Sequence, residues 1–243
     1  MPPVESNPTL FATTRWTVVC DAARGGDSRA VEALGALFAT YWQPLYRYAR
    51  RRGKSREDAE DLVQGFLAHL MKARALRETE RGKGRFRAFL LASFNHWMIN
   101  EWKHASREKR GGGVPTLSFD WESAETSLKL ETADERSPDK LFDREWALTL
   151  LRKTLDDLEK ACRAEGNATQ FENLKPCLTS DSSRIPYAEL AARLEMTEGA
   201  ARVAIHRLRK LYRHLLIEEV ARTLSSPDAV EVEMQSLFAA LAG

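Results

Sequence analysis

Apolar residues recur at helical spacing along most of this chain, and no stretch reads as a strand. That periodicity restricts the fold to packed helices. Val31, Leu34, Leu37, Phe38, Tyr41, Leu45 and Tyr46 mark a long first helix, which Pro44 is expected to kink or break and Gly53 to end. A second helix begins at Glu57 and turns Ala59, Leu62, Val63, Phe66 and Leu70 inward. A third is unusually aromatic, with Phe86, Phe89, Leu90, Phe94, Trp97, Met98 and Trp102. From Leu141 to about Ala161 the period returns through Phe142, Trp146, Leu150, Leu151, Leu155 and Leu158. Residues 166–184 are irregular, with a short helix expected around Phe171 to Leu174. After Ser225-Ser226-Pro227, a last amphipathic helix carries Val230, Met234, Leu237, Phe238 and Leu241, and is expected to complete the core of the domain before it.

The expected fold class is therefore all-α, with two helical domains joined by a flexible acidic linker. Residues 1–13 read as a mobile N-terminus, 14–110 as a first helical domain and 111–140 as a linker opening on three glycines. Residues 141–224 read as a second domain and 225–243 as the C-terminal helix. The linker lacks the Gly-Lys-Ser/Thr ending of a phosphate loop.

Ile185 to Leu216 carries the strongest functional signal. Tyr187, Leu190, Ala191 and Leu194 form one stripe of a short helix, and Thr197 is placed to cap the next. Glu198 then sets a negative charge in the first turn, where the helix dipole favours it. The second helix turns Ala201, Ile205, Leu208, Tyr212 and Leu215 inward. Arg202, Val203, His206, Arg207 and Lys210 point the other way, flanked by Arg209 and Arg213. No carboxylate interrupts this face between Glu198 and Glu218. Charge alone suits a solvated basic helix equally well; the preceding helix and turn make it a helix-turn-helix that fits a DNA major groove.

Net charge is only +2, so what matters is where charge sits. Basic clusters fall at Arg47 to Arg56, Arg81 to Arg87, Lys103 to Arg110 and on the last long helix, while acidic residues gather between Asp120 and Glu145. Such segregation is expected when one surface tracks nucleic acid and another meets a different partner. Cys20, Cys162 and Cys177 are widely spaced, with no metal-ligand pattern, so no metal or cofactor is expected. No signal peptide and no membrane-spanning run is evident, which makes the cytoplasm the expected location, without membrane insertion.

Three segments, in order, resemble the sigma-70 family of RNA polymerase sigma factors. Glu57-Asp58-Ala59-Glu60-Asp61-Leu62-Val63-Gln64 is similar to its second conserved region. Phe86-Arg87-Ala88-Phe89-Leu90, with Ile99-Asn100-Glu101 beyond it, resembles the promoter-melting helix of the extracytoplasmic-function branch. Tyr187-Ala188-Glu189-Leu190-Ala191 with Ile205-His206-Arg207-Leu208-Arg209 resembles that branch's fourth region. The Arg-rich end of the first helix and the extra C-terminal helix suggest an extended subgroup. Two features depart from the pattern. Asn95-His96 stands where an Arg-Asn pair is usual, and Gly65 where a glutamate is common.

The resemblance implies a promoter-specificity subunit that performs no bond chemistry of its own. Asp58, Asp61, Leu62, Gln64 and Phe66 would dock on the β′ clamp helices of bacterial core RNA polymerase. Arg85, Arg87, Asn95, His96, Asn100, Lys103 and Arg107 would handle melted −10 DNA. Thr197, Arg202, Val203, His206, Arg207, Lys210 and Arg213 would meet the −35 element, with arginine suited to guanine and Val203 to a thymine methyl. The β flap would seat on the second domain, and an anti-sigma factor is a further candidate partner. Readings outside the family stay open. They are a stand-alone helix-turn-helix regulator, an adaptor that contacts polymerase alone, and a nuclease using Glu57 and Asp61, which lacks further converging ligands.

Overall fold

The computed structural model describes residues 28–72, 86–105, 119–129, 137–181, 184–224 and 229–242. Nine α-helices and no strand occur among the described residues. They are α1 (Ser28–Arg51), α2 (Arg56–Lys72), α3 (Phe86–Ala105), α4 (Trp121–Lys129), α5 (Pro138–Ala164), α6 (Ala168–Leu174), α7 (Tyr187–Arg193), α8 (Glu198–Ala221) and α9 (Val230–Ala242). The chain divides into two compact units, Met1–Thr149 with Val220–Gly243, and Leu150–Glu219.

In the first unit, α1 runs unbroken through Pro44, where a kink or break was expected. It stops where Gly53 takes a left-handed φ of 82°. There the Gly53 amide donates to the Arg50 carbonyl and the Lys54 amide to the Ala49 carbonyl, closing the helix end in a Schellman motif. Ser55 Oγ then accepts the Asp58 amide and starts α2. Leu37, Phe38, Tyr41 and Leu45 of α1 are buried with Val63, Phe66 and Leu67 of α2 and with Phe86, Leu90 and Phe94 of α3. Tyr41 meets Phe86 edge to face at 5.1 Å, and Phe66 meets Phe94 at 5.0 Å.

Part of the expected flexible linker is folded. Asp120 caps α4 through the Ser123 amide, and Ala124 and Glu125 of that helix are buried. The Glu125 carboxylate accepts the Tyr46 hydroxyl at 2.6 Å and two nitrogens of Arg50 at 2.8 and 3.0 Å. Phe119 and Trp121 pack on Trp42, with ring centroids 4.9 and 5.0 Å away. A nine-residue helix is too short to display a period in sequence, so its anchoring chemistry was hidden. The remainder of the linker, residues 111–118 and 130–136, lies outside the described residues, as do residues 1–13.

The C-terminal helix also departs from expectation. Helix α9 belongs to the first unit, burying Glu233, Met234 and Leu237 there, and does not complete the domain that precedes it in sequence. Phe238, expected in a core, is 56% exposed. Buried Glu233 needs a cation, and Arg87 at the start of α3 supplies it at 3.3 Å. Arg47 and Glu145 make a second buried ion pair in the same unit, 2.7 Å apart.

The second unit packs Leu158, Cys162, Phe171, Leu174, Cys177, Ile185, Leu190, Ile205 and Leu208 into one cluster. Between α5 and α7 lie α6 and a short 3-10 turn, Lys175–Leu178, which give the irregular stretch more order than its sequence suggested. Cys162 and Cys177 are free thiols, and burial pushes both above the usual thiol range. No helix among the described residues is long and apolar enough to cross a membrane.

Candidate nucleic-acid interface

The helix-turn-helix is built on a tight turn. Leu190 and Ala191 of α7 are buried, as are Ala201, Ile205 and Leu208 of α8, so the two helices share one core. Between them the Met196 amide donates to the Ala191 carbonyl at 2.9 Å, and Glu195 takes a left-handed φ of 51°. Such a conformation normally selects glycine, and Glu195 occupies it at a cost. Thr197 Oγ1 accepts the Ala200 amide at 3.2 Å and caps α8, as its position implied.

Outside the core, Arg202, Val203, His206, Arg207, Lys210 and Arg213 are all exposed on α8, and Thr197 is exposed at its start. Val203 is 49% exposed, which places an apolar side chain amid the cations. Tyr212 and Leu215 are only half-buried. The Arg202 guanidinium lies over the Tyr187 ring, 3.8 Å from its centroid. Arg209 is turned away from this face. Its nitrogens donate to the carbonyls of Cys177 at 2.7 and 3.1 Å and of Ser180 at 2.5 Å, tying the 3-10 turn to α8. An open pocket of about 260 Å³ lies beside the same helix, lined among others by Cys162, Phe171, Leu174, Arg207 and Leu211.

The first unit presents a different chemistry. Glu57, Asp58 and Asp61 of α2 are exposed, and Leu62 and Gln64 are half-buried beside them. Glu60 is paired with Arg56 at 2.8 Å. Phe66, expected on this contact surface, lies instead in the core between Phe94 and Trp97. Its place in the helical period already allowed that. No group of three or more potential metal ligands occurs among the described residues.

The candidates for melted DNA are dispersed. His96 and Asn100 are exposed on α3, with Ile99, 51% exposed, between them. Asn95 is turned inward and accepts the Tyr48 hydroxyl at 2.9 Å. Arg87, expected at the surface, is buried, its side chain 7% exposed. It lies 4.1 Å from the Trp146 ring centroid and pairs with Asp143 at 3.2 Å and with Glu233. Arg85, Arg107 and the Lys103 side chain lie outside the described residues. Gly65 has a local reason: a Cβ there would stand 3.3 Å from the Trp97 ring, which occupies the space a larger residue would need.

Residues 37–108 match the family model of sigma-70 region 2. The chain carries a sigma-70 region 2. Region 2 thus spans most of α1, all of α2 and α3, and the exposed carboxylates of α2. Such a domain serves promoter recognition together with RNA polymerase and binds both the core enzyme and promoter DNA. Comparison with characterised proteins and with solved structures gave no match. Sequence reasoning missed the partners rather than the elements: Tyr187 beneath Arg202, Glu125 on Arg50, and Glu233 on Arg87. Each pair spans a sequence separation that no helical period reports.

Proposed function

We propose that this chain is a promoter-specificity subunit of the extracytoplasmic-function type, in an extended subgroup. It reads the −35 and −10 elements and promotes strand opening. One observation carries the reading: a sigma-70 region 2 is joined to a separately folded helix-turn-helix whose outer face is cationic. Glu57, Asp58 and Asp61 offer carboxylates to the arginines of the polymerase β′ clamp helices, beside an apolar strip at Leu62. The β flap would seat on the second unit, along α5 and the flank of the helix-turn-helix.

On α8, Arg202 and Arg207 supply the bidentate donors that guanine accepts, and Val203 the apolar contact for a thymine methyl. Lys210 and Arg213, farther along, suit phosphates and fix register. His96 and Asn100 are the described residues best placed for unpaired −10 bases. The subunit performs no covalent chemistry, works in the cytoplasm, and is a candidate for control by an anti-sigma factor. Two weak contacts on one chain gain affinity when the core enzyme holds both, so promoter binding is expected to be weak alone and strong in the holoenzyme.

Gel filtration with bacterial core polymerase, followed by run-off transcription on genomic fragments, tests the proposal. Co-elution and new, salt-sensitive start sites are expected. A chain that stays apart from core enzyme yet binds a symmetric operator tightly by itself is a stand-alone regulator, and the proposal fails.

A further inference from the structure

Of the exposed arginines on α8, Arg202 is held against an aromatic ring. Its guanidinium carbon lies 3.8 Å from the Tyr187 ring centroid, well inside the range of a cation–π contact. Tyr187 opens α7 directly after Pro186, and its amide donates to the Ile185 carbonyl at 2.9 Å. The ring packs on the hydrophobic cluster that includes Leu190 and Ile205. Ile185 and Leu190 on either side are buried, so the ring's backbone is fixed by the core. Arg202 itself remains exposed.

We infer that Tyr187 is a positioning residue: it holds the Arg202 guanidinium in one orientation, and so sets the strength with which α8 discriminates a single base pair. The inference rests on the proposed −35 reading by Arg202. A free arginine side chain loses rotamer entropy when it docks. Contact with the ring removes part of that freedom before DNA arrives, while the exposure of Arg202 leaves N–H donors open to a ligand. A planar fork held in plane can match guanine O6 and N7, whereas a mobile one samples many orientations that match neither. Tyr187 touches no base in this scheme. Its hydroxyl is dispensable and its ring is not.

The test uses the full chain in complex with core polymerase and a promoter library randomised across the −35 element. Base preferences are read for the parent, Arg202→Ala, Tyr187→Leu, Tyr187→Phe and the Arg202→Ala/Tyr187→Leu double variant. Arg202→Ala is expected to lose preference at one base pair. Tyr187→Leu is expected to weaken preference at that same pair by about fivefold to tenfold. Tyr187→Phe is expected to retain it, and the double variant to match Arg202→Ala alone. A merely structural role for Tyr187 would depress binding to every sequence alike. Should Tyr187→Leu fail to fold, Tyr187→Met removes the ring while keeping an apolar stem. Preference lost in Arg202→Ala but intact without the ring overturns the positioning role alone. Unaltered preference in Arg202→Ala overturns that role and the −35 reading beneath it.

Discussion

Arg87 and Glu233 form an ion pair at 3.3 Å with side chains only 7% and 1% exposed, joining the start of α3 to the last helix of the chain. Asp143 and the Trp146 ring complete the surroundings of the guanidinium. A buried charge deprived of its partner is expensive, because the remaining ion stays out of water. Glu233→Ala is therefore expected to destabilise the first unit by about 3 kcal/mol in urea unfolding. A loss below about 1 kcal/mol would mean that Asp143 alone satisfies Arg87.

Gly65 faces the Trp97 ring, with 3.3 Å left for a Cβ. In an open helix, replacing glycine gains up to about 1 kcal/mol. Here a larger side chain must displace the indole, so Gly65→Glu is expected to cost about 2 kcal/mol despite its better propensity. Thermal melting of the two proteins decides the sign. A stabilised variant would show that Trp97 moves aside freely.

The helix-turn-helix carries its own strain at Glu195, whose φ is 51°. Glycine adopts that conformation without a steric penalty. Glu195→Gly is expected to stabilise the second unit by about 1 kcal/mol, with DNA binding retained. A lower melting temperature would count against strain at this turn.

Asp157 supplies a pH dependence. Burial acts to raise its pKa, but the Lys153 hydrogen bond at 2.7 Å and the Lys160 contact at 3.4 Å outweigh it and hold the carboxyl below its usual value. A depressed folded-state pKa contributes stability above the unfolded value, and that contribution disappears as pH falls through the folded one. Second-unit stability is thus expected to decline below about pH 4, and Asp157→Asn to flatten that decline. Parallel acid-unfolding curves for the two proteins would contradict this.

The helices legible in sequence were those with a long, one-sided apolar period. Helices α1, α2 and α8 show it, and their cores followed: Leu37, Val63 and Ile205 are buried as their spacing required. The outward set on α8 was legible for the same reason, since exposure is the complement of that period. Helix α4 was not legible, because two aromatics and one glutamate anchor it to α1 and leave no repeat to detect. Arg87 misled for a related reason. A cation in a basic cluster reads as solvent-facing until its carboxylates, far off in sequence, are known. Periodicity reports which face turns inward and is silent about what it meets.

The location of α9 bears on how the polypeptide matures during synthesis. Residues 150–219 are contiguous, so the second unit has its whole complement as soon as that segment leaves the ribosome. Region 2 emerges earlier but waits longer: Arg87 has no Glu233 until the segment that forms α9 has been translated. A nascent product that stops short of α9 would thus hold a second unit with its full complement and a region 2 that still lacks a buried partner.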